Sequence, residues 1–313
     1  MLAPLAGITD LPFRNLVSSF GAGLVVSEMI ASGEFLTARP GTREKAELGA
    51  QIVNTSVQIA GREPEPMAEA ARMVADMGAR IIDINMGCPA KKVTGGWSGS
   101  ALMQVPDHAL KLIDAVVGAV DLPVTLKTRL GWDDASVNAP QLASRAVDAG
   151  VQMVVIHGRT RCQFYKGRAN WQAIRAVRDA IDVPLIANGD IVGAGSAQAA
   201  LRGSGADGVM VGRGTQGAPW KLAEISAALY GTEMPEIPHG VEFYNMVSEH
   251  YEAMLTFYGA VLGARVARKH LGWYMDRAAT PRALRQRVLT EKDPKQVLSL
   301  LADALVTDQK VAA

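Results

Sequence analysis

Short β-branched runs recur along the first two-thirds of the chain, each followed by a Gly-, Asn- or Asp-rich loop and then an Ala-rich stretch. The runs are Leu2 to Ala6, Leu24 to Glu28, Ser56 to Ala60, Arg80 to Asn85, Pro123 to Arg129, Met153 to His157, Pro184 to Asn188 and Gly208 to Gly212. Their starts lie roughly 20 to 45 residues apart, the length of a strand, a loop, a helix and a return loop, so eight such units can close a parallel barrel. Pro64 to Met77, Asp107 to Val117, Gln141 to Ala149 and Ser196 to Leu201 carry the apolar stripes of covering helices. A doubly wound open sheet shares the alternation, but the even repeat favours an α/β chain folded as a (β/α)8 TIM barrel.

After Pro219-Trp220 the pattern changes, and from about Pro235 onward no strand-like run appears. Phe243 to Tyr258 and Val261 to Asp276 read as helices, and Pro281 opens another. The expected organisation is a barrel over residues 1–234 followed by a smaller all-helical domain over 235–313, which suits a chain of 313 residues when a barrel takes about 250. Apolar content is 49% with 20% charged residues, and no apolar run approaches the ~18 residues of a membrane span. Nothing basic precedes the apolar start, and Asp10 follows quickly, so the expectation is a soluble, cytoplasmic monomer without membrane or metal partners. Cys88 and Cys162 are too few for a disulfide scaffold and read as free thiols.

In a barrel the chemistry belongs where strands end and loops begin. This chain places a polar residue at nearly every such end: Glu28, Gln58, Asn85 with Cys88, Lys127 with Arg129, His157, Asn188 with Asp190, and Gly212-Arg213. Asn188-Gly189-Asp190 and Gly212-Arg213-Gly214 are glycine turns whose amides can cradle a phosphate, with Arg213 adding charge. Either turn alone reads first as an ordinary strand-to-helix connection. Lys127 and Arg129 lie two apart on one strand and point the same way, with Thr128 opposite. An inward lysine fits an anion, a reduced flavin or a Schiff-base substrate. Cys88 sits before Lys91, Lys92 and the Gly95-Gly96-Trp97-Ser98-Gly99 stretch, so the thiol rides on a loop. A mostly protonated thiol serves as a general acid, whereas nearby lysines favour a nucleophile, and the sequence leaves both roles open.

The tail is locally basic: from Val261 to Arg287, seven basic residues stand against the single acid Asp276. Arg265, Arg268 and Lys269 have i, i+3, i+4 spacing, which puts them on one helix face as phosphate contact requires, although a solvated face has the same spacing.

Several segments, in this order, resemble the tRNA-dihydrouridine synthase family. They are Ala3-Pro4-Leu5-Ala6-Gly7 with Thr9-Asp10, Val57 to Gly61, Asp83 to Pro89 containing Asn85-Met86-Gly87-Cys88-Pro89, Leu126 to Gly131, Ile156 to Thr160, Ile186 to Ile191, and Val211 to Trp220. Arg265 to Tyr274, with Arg268-Lys269-His270, resembles the bacterial B-type branch. The resemblance implies FMN reduced by NADPH, hydride transfer to uracil C6, and Cys88 as the acid that protonates C5. It also implies that Pro4, Leu5, Ala6, Gln58, Lys127, His157, Asn188, Gly189, Asp190, Gly212 and Arg213 bind the cofactor. Asn85, Arg129, Arg265, Arg268, Lys269 and His270 would meet tRNA. Family members usually carry several residues before the Ala-Pro segment, so a shortened first strand is expected here. The competing readings are an FMN barrel acting on a free small molecule, as in dihydroorotate dehydrogenase-like enzymes, a lyase using Lys127, and a non-catalytic tRNA-binding protein.

Overall fold

The computed structural model describes residues 1–36, 47–48 and 55–306. Within them, β-branched runs form β1 (Val25–Val26), β2 (Ile30–Ala31), β3 (Thr55–Ala60), β4 (Ile81–Met86), β5 (Val124–Arg129), β6 (Met153–His157), β7 (Leu185–Asn188) and β8 (Gly208–Met210). The strands pair in parallel in the order β1-β3-β4-β5-β6-β7-β8, with β2 continuing along β3. Leu2 joins the two ends of this sheet by bridging in parallel to both Val25 and Val211. Its N–H donates to the Leu24 carbonyl at 2.8 Å, and Ala3 N–H donates to Val211 at 2.8 Å. The ring is the expected TIM barrel.

The first expected run, Leu2 to Ala6, shrinks to that bridge. Pro4 has no N–H for a ladder, and Leu5 N–H turns away to the Thr9 hydroxyl at 2.9 Å. Pro4 to Ala6 thus become a loop over the barrel end. The short β2 is an element the period-2 pattern did not announce.

Helices α1 (Leu11–Ser19), α2 (Ser32–Leu36), α3 (Pro64–Asp76), α4 (Lys91–Thr94), α5 (Pro106–Val117), α6 (Ala139–Asp148), α7 (Arg175–Arg178), α8 (Ala194–Ser204) and α9 (Lys221–Tyr230) alternate with the strands. Proline opens α3 and α5, where the missing N–H costs no helical bond. Val57, Ile59, Ile84, Leu126 and Ile156 face outward from the strands into Met67, Ala71, Leu112, Ile113 and Leu142 of the covering helices. Inside the ring a small apolar plug of Ala3, Val26, Val155, Ile186 and Met210 fills the barrel. Register then stacks polar residues above it, pairing Asn85 with Lys127, Arg129 with His157, and His157 with Asn188.

The C-terminal region is helical: α10 (Gly240–Tyr258), α11 (Ala260–Arg277), α12 (Arg282–Thr290) and α13 (Pro294–Leu305). Val247, Met254, Leu271, Tyr274 and Leu301 form its core, which continues into Trp220 and, at its edge, Phe20 just past α1. The Tyr258 hydroxyl donates to Asp10 at 3.1 Å, while the other Asp10 oxygen caps α1 by accepting from Phe13 N–H at 3.0 Å. Gly217 has φ +70°, and a Cβ there would meet the Trp273 carbonyl at 2.7 Å, so only glycine lets these surfaces close. No helix of the described residues is long and apolar enough to cross a membrane.

Candidate active site

The polar residues stacked by register line one cavity of about 840 Å³ at the carboxyl end of the barrel. Cys88, Pro4, Leu5, Ala6, Gln58, Lys127, His157, Asn188, Gly189, Asp190, Gly212 and Arg213 all lie on its wall, together with Asn85 and Arg129. Arg265, Arg268, Lys269 and His270 do not.

One side of the cavity is a buried chain of hydrogen bonds that ends at the thiol's loop. Thr125 Oγ1 donates to Asp83 at 2.6 Å, and Gln58 Nε2 donates to the other Asp83 oxygen at 2.6 Å. That fixes the Gln58 amide so that its Oε1 accepts from Asn85 Nδ2 at 2.8 Å. Asn85 Oδ1 is thereby turned toward the loop and accepts from Gly87 N–H at 3.1 Å and Cys88 N–H at 2.9 Å. Burial raises the Asp83 carboxyl to about 6 against the pull of these donors and of Lys127. Asp83 is a site-building residue that strand-end reasoning missed, because it stands one layer below the strand end; its alternation with Asn85 was the available signal.

Lys127 rises from β5 beside Asn85 and makes no hydrogen bond or ion pair with any described residue. Burial, and then the charge of Arg129, lower its pKa to about 8, with Asp83 pulling the other way. An ammonium left without a partner by the described residues in such a cavity favours an anion there.

The opposite side is held by a residue not anticipated as a site residue. Arg159, from the loop after β6, is buried and donates to Asp190 Oδ2 at 2.5 Å, to the Gly167 carbonyl at 2.7 Å and to His157 Nε2 at 3.3 Å. His157 Nε2 therefore accepts, and Nδ1–H points to Asn188 Oδ1 at 2.9 Å. Burial, followed by the charges of Lys127 and Arg129, keeps this imidazole neutral, well below the ordinary histidine range. Asn188 Nδ2 in turn donates to the Met210 carbonyl at 2.8 Å. Burial alone would raise the Asp190 carboxyl, but hydrogen bonds from Arg159 and Ala169 and the charge of Arg213 hold it low. Asp190 (φ 55°) follows Gly189 (φ 113°), so the β7 turn is left-handed over two residues. Arg213 Nη2 donates to Asp190 at 3.2 Å while its side chain stays largely exposed.

Of the residues expected to meet RNA, Arg129 also has a structural role and His270 is buried away from the surface. Arg129 is 2% exposed, and it donates to the carbonyls of Gly87 (2.7 Å), Thr160 (3.0 Å) and Phe164 (2.9 Å), stapling the loops after β4 and β6 together. His270 is 1% exposed and packs 4.8 Å from Phe13 and 4.9 Å from His250, ring to ring. One helical residue turns the side chain by about 100°, so His270 enters the joint between α11 and α1 while Lys269 stays outside. Burial, with Lys269 adding to it, lowers the His270 pKa to about 3. Arg265 is exposed and Arg268 half-buried. Lys269 leans over the barrel, its Nζ 3.2 Å from where a Cβ on Gly7 would stand, between the cavity residues Ala6 and Ile8.

A family model described as dihydrouridine synthase matches residues 1–310. The chain belongs to the dihydrouridine synthase family. Over 306 residues it is 66% identical to a probable tRNA-dihydrouridine synthase of Rhodobacter capsulatus, covering 97% of this chain and 94% of the relative. A probable tRNA-dihydrouridine synthase of Rhizobium leguminosarum is 55% identical over 97% of this chain and 94% of its own. The tRNA-dihydrouridine synthase B of Vibrio vulnificus is 47% identical over 88% of this chain and 85% of its own. A solved structure of histamine dehydrogenase from Rhizobium sp. 4-9 superposes with TM-score 0.54 at 12% identity, over 80% of this chain and 48% of that one, a likeness of fold alone. The dihydrouridine synthase family thus recognised from strand-end motifs is the family the whole-length match gives.

Proposed function

We propose that this chain is an FMN-dependent tRNA-dihydrouridine synthase that uses NADPH to reduce the C5–C6 double bond of a uridine in tRNA. The observation that carries the reading is that a loop-borne thiol, Cys88, and an ammonium without a hydrogen-bond or ion-pair partner among the described residues, Lys127, open onto one cavity. The cavity suits FMN: its volume lies within the range of about 300–1,000 Å³ usual for ligand sites, Pro4, Leu5 and Ala6 give an apolar wall, and Arg213 with the glycine turns Gly189 and Gly212 gives a phosphate end. Bound FMN would supply a two-electron carrier, charged by NADPH, that delivers hydride to uracil C6. Lys127 would stabilise negative charge on the reduced ring, and Gln58 would face its polar edge. Cys88 Sγ would hold the proton for C5, and Asn85 retains one amide N–H for a ligand. Arg129 would act through the loops it staples. The purified chain is expected to be yellow, to release FMN on denaturation, and to bleach anaerobically with NADPH. A colourless protein trapped on Lys127 by borohydride would instead support a Schiff-base lyase.

Arg159 would set the phosphate end by fixing His157 and Asp190 together. Arg159→Met is expected to weaken FMN binding at least tenfold, since it leaves the Asp190 carboxylate without its buried partner. Released FMN fluorescence on dilution measures this, and full retention of cofactor would deny Arg159 that role.

Residues 235–313 would form the tRNA-binding domain, with Arg265, Arg268 and Lys269 on phosphates and His270 in the joint behind them. Lys269→Ala should weaken tRNA binding and reduce the slope of log affinity on log salt by about one. An unchanged slope in a salt titration would take Lys269 off the RNA.

A further inference from the structure

Two large aromatic side chains stand in water near the cavity on strained backbone. Trp97 is 57% exposed with φ 55°, and Phe164 is 44% exposed with φ 54°. Among the described residues other than glycine, only Asp190 and Ala279 share such positive φ values. Bulky side chains rarely enter this region, which glycine takes without cost. Trp97 gains no buried place in return, and Phe164, on the cavity wall, gains an edge-to-face contact with Tyr165 at 4.8 Å; strain of this kind collects at functional sites.

Both residues are tied to the loop that carries Cys88. Trp97 N–H donates to the Thr94 carbonyl at 3.1 Å. Two residues on, Gly99 lies against the thiol's own residue, where a Cβ would come 3.2 Å from Cys88 Cβ. The Phe164 carbonyl is held at 2.9 Å by buried Arg129, whose Nε holds the Gly87 carbonyl at 2.7 Å. Arg161 spans the two loops: its Nη2 lies 3.5 Å from Thr94 Oγ1, its carbonyl accepts from Phe164 N–H at 3.0 Å, and its guanidinium covers the Trp132 ring at 4.7 Å. Lys91 and Lys92 add exposed cations on the Trp97 side.

We propose that Trp97 and Phe164 form a stacking platform for the RNA bases that flank the uridine entering the cavity. Extruding a base into a pocket unstacks its neighbours. An aromatic ring takes an unstacked base of any identity, and nearby cations take its phosphates. Holding both rings on strained loops in advance spares the ordering cost at binding. This inference rests on the RNA reading given above.

Glycine substitutions separate the ring from the backbone, because glycine suits φ near +55°. Trp97→Gly and Phe164→Gly are each expected to leave the melting temperature equal or higher. Each should weaken the Kd for an unmodified tRNA transcript by about tenfold. The salt slope should stay as in the wild type, since no phosphate contact is lost, and Trp97→Tyr should restore most of the affinity. Glycine variants that bind the transcript as tightly as the wild type would overturn the platform, as would an affinity loss matched by a lower melting temperature. A failure of the functional reading shows separately, in a wild-type chain that forms no dihydrouridine.

Discussion

Cys88→Ala is expected to keep its yellow cofactor and its affinity for tRNA while dihydrouridine formation falls by about 10²- to 10⁴-fold, the usual worth of a general acid. The loop should survive the change, because Asn85 holds it through the backbone N–H groups of Gly87 and Cys88 and Ser100 Oγ holds the Cys88 carbonyl at 2.9 Å. None of these bonds uses the thiol. The loss should therefore appear in kcat for the RNA step, with anaerobic bleaching by NADPH preserved. Cys88→Ser, which keeps an exchangeable proton on a weaker acid, should retain a measurable fraction of turnover. Turnover like the wild type in the alanine variant would remove the thiol from the chemistry, and a covalent RNA adduct in the wild type that vanishes in Cys88→Ser would make it a nucleophile instead.

Lys127→Met should have a comparable effect on turnover, about 10²- to 10³-fold, by the scale set when a preorganised group that stabilises developing charge is removed. Its stability effect should have the opposite sign. The folded pKa of Lys127 is about 8 against an ordinary value of 10.5, so at neutral pH the folded chain carries the cost of a buried charge that the unfolded chain does not. Between about 8 and 10.5 the unfolded state binds more protons than the folded state, and stability contributed at this position rises with pH. The methionine variant, freed of that cost, should melt at a higher temperature at pH 7 in the cofactor-free form. Turnover follows the other direction: the ammonium needed beside the reduced ring is lost as pH rises, and the ring's negative charge would move that loss upward from the value of about 8 set by the protein's own groups. The wild-type rate should fall on the alkaline side, and Lys127→Met should lose that limb. A variant with a lower melting temperature and an unchanged alkaline limb would mean that Lys127 is a packing residue.

Much of the barrel was legible because its signals are periodic. Strand, loop and helix repeat at a length that few folds share, and period-2 alternation placed Lys127 and Arg129 on one face with Thr128 opposite. In the structure Thr128 Oγ1 does point away, to the Met86 carbonyl at 3.1 Å. What alternation cannot give is what folds over a strand end. Arg129 does line the cavity, but the loops after β4 and β6 close on it and take its Nε and Nη1 hydrogens. His270 looked like part of a basic surface because Arg268 and Lys269 precede it; which way a helix faces is decided by packing against α1. Arg159 was hidden among neighbouring arginines, and only the fold shows that it is the buried one, joined to Asp190 at the end of the adjacent strand. The first strand could not be read as a bridge from its residues, since one hydrogen-bonded pair at Leu2 suffices when the sheet's ends already lie side by side.

On the proposed function, this cavity reduces a base presented by folded RNA. The most direct measurement incubates the purified chain anaerobically with FMN, NADPH and an unmodified tRNA transcript, then cuts the RNA with a base-specific nuclease and weighs each oligonucleotide and its fragments by mass spectrometry. The expected product is a uridine that has gained two hydrogens at a defined position, absent with Cys88→Ala, with no reduction of free uridine at the same concentration. A transcript that binds tightly and comes back with every uridine unreduced while NADPH bleaches the flavin, or equal reduction of the free nucleoside, would contradict it.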